Sequence, residues 1–327
     1  NHYTGCRSHA CGYPAKSFRP VPADEMNIPA GRQSEESCYV AKLIIGCGYV
    51  GRRLAEFWSK QGDEVLVTTR SQRRAEEFQQ CGWTPIVWDV TAARSQPLPD
   101  VETIVFAVGF DRSSGRRIDD VYVGGLQHAM LAAPETVRRF IYLSSTGVYG
   151  QVDGDWVDED SPCEPNREGG QACLRAESLL RADPAVGSKS IILRLAGIYG
   201  PGRLPQAEVL RRREPLQVVA DAWLNLVHVD DIVRIIDACD REVTPPTTLC
   251  ISDGVPVMRR DFYEDLADLL RLESPEFQPP APGTSRAERG RGSKRIRNDR
   301  LKSVIDYQFL YPTWKAGLQA ILRESGG

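Results

Sequence analysis

The sequence predicts an α/β fold built around a doubly wound parallel sheet. Short apolar runs alternate with amphipathic stretches from Ala41 onward, the order expected of β-α-β units with right-handed crossovers. The first apolar run leads into three glycines with G-x-G-x-x-G spacing, Gly46–Gly51. After Gly202 the alternation becomes less regular, which indicates a different organisation in the C-terminal part.

The segment Lys42–Gly62 carries the strongest signal. Its apolar start is typical of a buried parallel strand. Gly46 permits a tight turn, Gly48 lets the backbone approach a pyrophosphate, and Gly51 lets the next helix pack closely on the strand. Together these features predict a dinucleotide-binding, Rossmann-type domain, with a purely structural glycine-rich turn as the alternative. The residues expected to contact the cofactor are Gly46, Cys47, Gly48, Tyr49, Val50 and Gly51.

The other elements follow from the apolar pattern in chain order. Further strands are predicted at Glu64–Thr69, Pro85–Trp88, Val101–Val108, Arg139–Ser145, Ser190–Leu195, Leu216–Val219 and Thr248–Ser252. Helices are predicted at Arg73–Gln80, Asp119–Ala133, Gln171–Arg181, Pro205–Arg213, Arg259–Leu270 and Trp314–Arg323, with another beginning at Asp230. Residues 151–170 are polar and rich in Pro and Gly, so we predict a loop there.

Composition narrows the function classes. Apolar residues make up 41% and charged residues 26%, which is ordinary for a globular protein. The net charge of −3 gives no electrostatic reason to expect nucleic acid, and no apolar run approaches the ~20 residues that span a bilayer. Nine cysteines are scattered without pattern, which favours reduced thiols and a cytoplasmic location. We expect a small-molecule substrate and no metal, and we leave a homodimer open.

Residues 1–38 differ from the rest of the chain. They are rich in Pro, Gly, Ser and charge and show no periodic apolar pattern, so we predict a disordered leader. Met26 is a candidate start residue within this segment.

Five motifs in order resemble the extended branch of the short-chain dehydrogenase/reductase superfamily, the NAD-dependent epimerase/dehydratase-like proteins. They are Gly46–Gly51, Ser144–Gly150, Arg194–Gly202, Asn225–Ile232 and Ser252–Val257. The resemblance implies a seven-stranded Rossmann-type domain over residues 39–200, to which residues 226–253 return. It also implies a smaller C-terminal α/β substrate domain formed by residues 201–225 and 254–327.

The chain departs from this family at the catalytic Tyr-x-x-x-Lys pair. Aligning Glu177 with the Ala-Glu of the family's catalytic helix puts Gly169 at the Tyr position and Cys173 at the Lys position. Residues 150–188 contain neither tyrosine nor lysine, so the pair is absent rather than shifted. The resemblance is therefore to an atypical member of the superfamily.

The end of the second predicted strand favours NADP(H) over NAD(H). An NAD site has an acid there to accept from the ribose 2′-OH. This chain has Arg70 and Ser71 instead, and Arg suits a 2′-phosphate; the alternative is a solvated basic helix start. The resemblance gives Asp89, next to Val90, an adenine contact, with a strand-end cap as the alternative. Small residues expected beneath the adenosine are Ala107, Val108 and Gly109.

The resemblance also indicates catalytic candidates. Ser145 has the place of the residue that hydrogen-bonds the substrate carbonyl, with a turn serine as the alternative and Thr146 in reserve. Candidates to supply the missing proton are Tyr149, Glu168 and Cys173. Arg167 and Arg175 are candidates for positive charge near the nicotinamide ribose, although an exposed helix-face charge is the preferred interpretation.

Two C-terminal features concern the substrate. Asn225 and His228 lie in the family's Asn-x-x-His segment, and we expect them to position the substrate boundary rather than act as a base. A basic run faces either an anionic substrate or solvent: Arg286, Arg289, Arg291, Lys294, Arg295 and Arg297.

The first hypothesis is an NADP(H)-dependent reductase or dehydrogenase that acts on a small carbonyl, hydroxyl or sugar-like compound. The second is a non-catalytic NADP(H)-binding sensor, and the third is an epimerase or dehydratase. The missing Tyr-Lys pair favours the sensor, whereas Ser145 and the C-terminal substrate motifs favour an enzyme.

Overall fold

The structure is a computed structural model and describes residues 41–284, 287, 290 and 292–325. The predicted leader 1–38 and three arginines of the basic run lie outside the described residues: Arg286, Arg289 and Arg291. Within the described part of the chain, none of the helices combines the length and apolar character needed to cross a membrane.

Short strands and helices alternate along the chain. The strands are β1 (Ala41–Ile45), β2 (Glu64–Thr69), β3 (Thr84–Val87), β4 (Thr103–Phe106), β5 (Arg139–Ser145), β6 (Trp156–Val157), β7 (Ser190–Leu195), β8 (Gly197–Tyr199), β9 (Leu216–Gln217), β10 (Trp223–Leu224), β11 (Leu226–His228), β12 (Thr247–Ile251), β13 (Val257–Met258), β14 (Phe277–Gln278) and β15 (Arg295–Ile296). The helices are α1 (Tyr49–Gln61), α2 (Gln72–Gln80), α3 (Gly125–Leu131), α4 (Glu168–Ala182), α5 (Ala207–Arg211), α6 (Val229–Glu242) and α7 (Arg259–Leu269), followed by Asp299–Val304 and Trp314–Ser325.

The central sheet has seven parallel strands in the order β12-β7-β5-β4-β1-β2-β3. Helices cover both faces of this sheet. Successive side chains of β1 show this, because they pack into two different apolar clusters. Ile44 packs with α1 and α6, whereas Leu43 and Ile45 pack with α3 and α4 on the opposite face. Strands buried on both faces explain the continuous apolar runs in the sequence. The predicted Rossmann-type, doubly wound sheet is confirmed.

A third apolar cluster gathers elements of the C-terminal part. It joins Tyr199 and Leu210 to Phe262 on α7 and Trp314 on the last helix. The residues that the structure describes nevertheless form one compact unit by their contacts. The division into a cofactor domain and a substrate domain stays a prediction.

Two segments differ from their predicted form. The helix predicted over Asp119–Ala133 begins with a π-helical turn, Asp120–Gly124, before α3. A methyl group at Gly125 would lie 2.9 Å from a methyl of Val90, so this helix approaches the loop after β3 very closely. The loop predicted at 151–170 contains β6, which pairs in parallel with β15. That pairing joins segments far apart in the chain, so no local pattern predicts it.

Candidate functional site

The glycine turn between β1 and α1 leaves room that side chains would fill. Gly46 has a φ of +97°, and a methyl group there would lie 2.8 Å from the backbone of Ala107. A methyl group at Gly51 would lie 2.4 Å from the Gly46 carbonyl oxygen. At Gly48 a methyl group would meet nothing within 4 Å. The outer two glycines therefore keep the turn tight, and Gly48 faces open space where a pyrophosphate can approach.

Two hydrogen bonds, one from a side chain and one within the backbone, fix this turn. The Gly46 N–H donates to Thr68 Oγ1 on β2 at 3.0 Å, and the Gly48 N–H donates to the Gly46 carbonyl at 2.8 Å. α1 then begins at Tyr49 with no side chain capping its N-terminus, so its free N–H groups point into the turn. This arrangement suits the phosphates of a dinucleotide.

A cavity of about 260 Å³ opens beside the turn at the ends of β1, β2 and β4. Its lining includes most of the predicted cofactor contacts: Gly46, Cys47, Gly48, Arg70, Asp89, Val90, Ala107, Val108 and Gly109. Ser71 does not line it but begins α2, where its Oγ accepts from the Arg74 N–H at 3.4 Å. The structure thus brings these predicted residues together around one space.

Cations dominate one wall of this cavity. Arg74 donates to the Cys47 carbonyl at 2.7 Å, which ties α2 to the glycine turn. The Arg70 guanidinium is about half exposed, and its nearest acidic group is Asp111, at 3.8 Å. No acidic side chain follows β2 at the position that would accept from a ribose 2′-OH.

Asp89 is held by its own neighbours. It accepts from the Thr91 backbone at 3.1 Å and hydroxyl at 2.8 Å, and from Arg116 at 2.5 Å. Burial raises the pKa of Asp89, but these bonds outweigh burial and leave the pKa below its usual value. Asp89 lines the cavity and also closes the turn after β3, so both interpretations of this residue are compatible with the structure.

A second cavity of about 400 Å³ continues from the same turn toward β5. Gly48 and Ala107–Gly109 line both cavities, so the two form one groove across the carboxyl ends of the strands. Tyr49, Val50 and Ser145 line the second cavity. Open α/β sheets bind dinucleotides in this kind of groove.

Ser145 ends β5 and faces this second cavity. Its Oγ accepts from the Gly147 N–H at 3.0 Å, so Ser145 stabilises the 3₁₀ turn Thr146–Val148. An accepting hydroxyl still has its own O–H to donate. The turn-serine and substrate-binding interpretations of Ser145 are therefore compatible. Thr146 is half-buried and begins the 3₁₀ turn without lining the cavity.

A sequence model of the NAD dependent epimerase/dehydratase family matches residues 43–247. The chain belongs to this family. Protein YeeZ of Escherichia coli (strain K12) is 28% identical over 281 residues, which are 82% of this chain and 95% of YeeZ.

Two solved structures show the same fold. One is a functionally unknown conserved protein from Silicibacter pomeroyi DSS, with 27% identity, a TM-score of 0.72, and coverage of 88% of this chain and 100% of that one. The other is a putative NAD-dependent epimerase/dehydratase from Methylobacillus flagellatus, with 28% identity, a TM-score of 0.67, and the same coverage. The family and fold predicted from the motifs are confirmed.

In this epimerase/dehydratase chain, Gly169 and Cys173 are the residues that the sequence analysis aligned with the family's Tyr and Lys. A methyl group at Gly169 would meet only Ile118, at 3.7 Å. Cys173 is buried and lines the second cavity, and burial raises the pKa of its thiol to about 11. Glu168 is exposed at the start of α4 and does not line the cavity.

The structure does not bring Tyr149 into the groove. Its ring is buried, and its hydroxyl accepts from Arg194 at 2.8 Å and lies 3.1 Å from Cys250 Sγ. Burial raises the pKa of Tyr149, so its hydroxyl is protonated at neutral pH. Tyr149 therefore joins a buried polar network beneath the 3₁₀ turn.

A different tyrosine, which the sequence analysis missed, lines the second cavity with Ser145. Tyr122 lies in the π-helical turn, and its hydroxyl accepts from the Phe110 N–H at 3.3 Å. Its ring packs near Cys173 in a small apolar cluster. Burial raises the pKa of Tyr122, so it is protonated at neutral pH. A π-turn changes which residues of a helix face a site, and regular helical periodicity does not predict that.

The C-terminal motif residues hold structure together at the edge of the groove. His228 begins α6, where its Nδ1 accepts from the Asp230 N–H at 3.2 Å. Burial and, to a smaller extent, the charge of Arg53 together lower the pKa of His228 to about 4, so the ring is neutral at pH 7. Asn225 accepts from the Ile296 N–H and donates to the Lys294 carbonyl, both at 2.8 Å.

The two candidate arginines, Arg167 just before α4 and Arg175 on it, have different surroundings. Arg175 pairs with Asp119 at 2.5 Å. Arg167 is half-buried beside Gly147 and has no acidic partner among the residues that the structure describes. The described residues of the basic run also differ in their surroundings. Lys294 is buried, whereas Arg295 and Arg297 lie over the Trp156 ring.

Proposed function

We propose that this chain is an NADP(H)-dependent oxidoreductase that interconverts a carbonyl and a hydroxyl group on a small or sugar-like compound. The observation that carries the proposal is the continuous groove that joins the glycine turn to Ser145. A dinucleotide whose pyrophosphate lies at Gly48 has its nicotinamide half in the part of the groove that Ser145 lines. Bound cofactor supplies hydride transfer at the nicotinamide.

The chain's own residues supply the groups that act on oxygen. Ser145 can donate a hydrogen bond to the substrate oxygen as negative charge develops there. The Tyr122 hydroxyl accepts from the Phe110 N–H, so its proton is available for donation into the cavity. We assign Tyr122 the role of proton donor, with solvent restoring its proton afterwards.

The preference for NADP(H) rests on Arg70. A 2′-phosphate would replace its long 3.8 Å contact with Asp111 by charge-assisted hydrogen bonds. Arg74 adds a second positive charge on the same wall, held against the Cys47 carbonyl. With an arginine in place of the acid, the end of β2 is better suited to NADP(H) than to NAD(H).

A second candidate function is a non-catalytic NADP(H)-binding sensor. It is favoured by Gly169 and Cys173 at the positions of the family's Tyr-Lys pair. Cys173 cannot supply the positive charge of the missing lysine, because burial raises the pKa of its thiol to about 11 and the thiol is neutral at pH 7. The sensor and the enzyme share the cofactor groove and differ in whether the bound cofactor reacts with a substrate.

Cofactor binding and turnover separate the two functions. We expect NADPH binding by fluorescence titration and NADPH oxidation with at least one compound of a carbonyl panel. Ser178→Ala is the matched control for Ser145→Ala, because Ser178 is an exposed serine of α4 whose hydroxyl donates to Leu174. Binding without oxidation of any panel member would favour the sensor, and absence of binding would refute both.

A further inference from the structure

Three cationic side chains lie around the turn that follows β5. Lys294 is only 8% exposed, and its Nζ donates to the Tyr149 carbonyl at 2.9 Å. Arg259, at the start of α7, donates to the carbonyls of Gly290 and Gly292, both at 2.9 Å. Arg167 precedes α4 and lies against Gly147. The three come from separate segments: Lys294 and Arg167 contact the turn itself, and Arg259 is near enough to both for its charge to act on theirs.

No carboxylate pairs with any of these three within the described ranges. Burial and the charges of Arg167 and Arg259 together lower the pKa of Lys294 to about 8. Burial also lowers the pKa of Arg167 and of Arg259. Like charges that share a partly desolvated place destabilise one another unless an anion joins them.

The other lysine and arginine that are fully buried among the described residues, Lys42 and Arg194, have acidic partners. Lys42 lies 3.0 Å from both Asp63 and Asp240, and Arg194 lies 2.8 Å from Glu177. The group formed by Arg167, Arg259 and Lys294, here called the cationic cluster, departs from that pattern. Its departure points to a ligand that brings the missing negative charge.

The position of Arg167 relates this cluster to the reacting site. A methyl group at Gly147 would lie 3.2 Å from Ser145 Oγ and 3.4 Å from Arg167 Nη2. One small group can therefore contact both side chains. Ser145 also lines the nicotinamide half of the groove. An anion at Arg167 would thus lie within a few bonds of a carbonyl held by Ser145.

Surrounding contacts fix the cluster in place. Asn225 holds the backbone on both sides of Arg295, and β15 pairs with β6. Arg295 donates to the Gly154 carbonyl at 2.8 Å and lies over Trp156 and Trp223, away from the cluster. Only Lys294 of the described part of the basic run is buried at this position.

We propose that Arg167, with Lys294 and Arg259 beside it, binds a carboxylate or phosphate group that the substrate carries close to its reacting carbonyl. The guanidinium geometry of Arg167 suits two parallel bonds to either group. The identity of the carbonyl rests on the function proposed above. The anion site itself is testable without cofactor or turnover.

The test measures dissociation constants of two probes, oxalate and inorganic phosphate, by calorimetry on the full chain without cofactor. Wild-type protein should bind at least one probe, and the stronger one identifies the preferred anion. Arg167→Gln should weaken binding at least about tenfold, the scale of a charged hydrogen bond. Arg175→Gln, two turns into the helix that Arg167 precedes, is the matched control. Because Arg175 already pairs with Asp119, this substitution should change binding less than about twofold.

Lys294→Met is a second variant, useful if Arg167→Gln shows a lowered melting temperature, and it should also weaken binding. No binding by wild-type protein, or equal binding by Arg167→Gln, would overturn the proposal. Loss of binding in Arg70→Ala instead would place the probe at the cofactor groove and also overturn it. Arg167-dependent binding without NADPH oxidation by any panel member would leave the anion site standing and favour the sensor over the proposed enzyme.

Discussion

Glu177 and Arg194 form a buried ion pair beneath the site, with Arg194 Nη2 2.8 Å from Glu177 Oε2 and Nε 3.1 Å from Oε1. Ser144 donates to the same carboxylate at 2.6 Å, and Arg194 donates to the Tyr149 hydroxyl at 2.8 Å. Ser144 directly precedes Ser145. The pair therefore ties α4 and β7 to the end of β5 that carries the candidate catalytic serine.

Glu177→Gln should lower the free energy of unfolding by ~3–5 kcal/mol, because it leaves the Arg194 charge buried without compensation. Urea denaturation measures the change. Glu208→Gln is the control, since Glu208 pairs with Arg211 on the surface and should cost under ~1 kcal/mol. Equal, small effects of the two substitutions would show that the buried pair contributes little.

Gly48→Ala should weaken NADPH binding about tenfold or more, because the added methyl group would crowd a pyrophosphate. The melting temperature should stay nearly unchanged, because this methyl group meets open space in the free protein. Gly51→Ala should instead lower the melting temperature, because its methyl group would lie 2.4 Å from the Gly46 carbonyl. Fluorescence titration and thermal unfolding separate the two effects. A stability loss in Gly48→Ala without an affinity loss would contradict the placement of the cofactor.

The parts of the fold that the sequence predicted are those with local causes. Ile44 and the glycines after it lie in one continuous segment, so strand, turn and helix could be predicted from adjacent residues. Arg167 and Arg175 have the same local pattern, and only the distant Asp119 distinguishes them. Lys294 likewise becomes buried through contacts with Tyr149 and Asn225, which no neighbouring residue reveals.

Tyr122 shows a second reason why part of the candidate site could not be predicted from the sequence. Its sequence neighbourhood is helical in character, and the helix was predicted at the right place in the chain. The π-turn and the close approach at Gly125 determine which side chain enters the groove. An amphipathic pattern in the sequence does not reveal a one-residue change in helical register.

Arg70→Ala should weaken NADPH binding selectively, by ~1.5–3 kcal/mol, the scale of a hydrogen bond to a charged group. NADH affinity should change little, since NADH has no 2′-phosphate. Arg73→Ala is the matched control: its side chain is 88% exposed and its nearest acid is Glu77 on the same helix. Equal affinities of wild-type protein for the two cofactors would remove the basis for assigning Arg70 this role.

Ser145→Ala should reduce kcat by ~10²-fold or more with cofactor affinity intact, the usual effect of losing one donor to a developing oxyanion. Tyr122→Phe should reduce kcat by ~10²–10⁴-fold, the range for a lost general acid. Cys173→Ala should leave kcat nearly unchanged, because the thiol packs in a small apolar cluster at the cavity wall. Steady-state kinetics on the best panel substrate measure all three. Near-normal kcat in Tyr122→Phe would refute its role as the acid.

Asp253→Asn should change how stability depends on pH. Asp253 is buried after β12 and accepts from the Val255 N–H at 2.9 Å, and burial raises its pKa to about 7. In the unfolded chain this carboxyl titrates near pH ~4. Between these two values the folded state holds a proton that the unfolded state has lost, so this residue makes the wild-type protein less stable as pH rises from ~4 to 7.

The asparagine keeps an oxygen for the Val255 N–H but does not titrate. Stability of the variant relative to wild type should therefore increase from pH ~4 to 7 and level off above it, by up to ~4 kcal/mol as an upper bound. His228 titrates with the opposite effect, because its lowered pKa destabilises the folded state as pH falls, but it is present in both proteins and cancels in the difference. Urea denaturation at a series of pH values measures this difference. A difference that stays constant from pH 4 to 8 would show that Asp253 is ionised in the folded protein at low pH, as an exposed aspartate is.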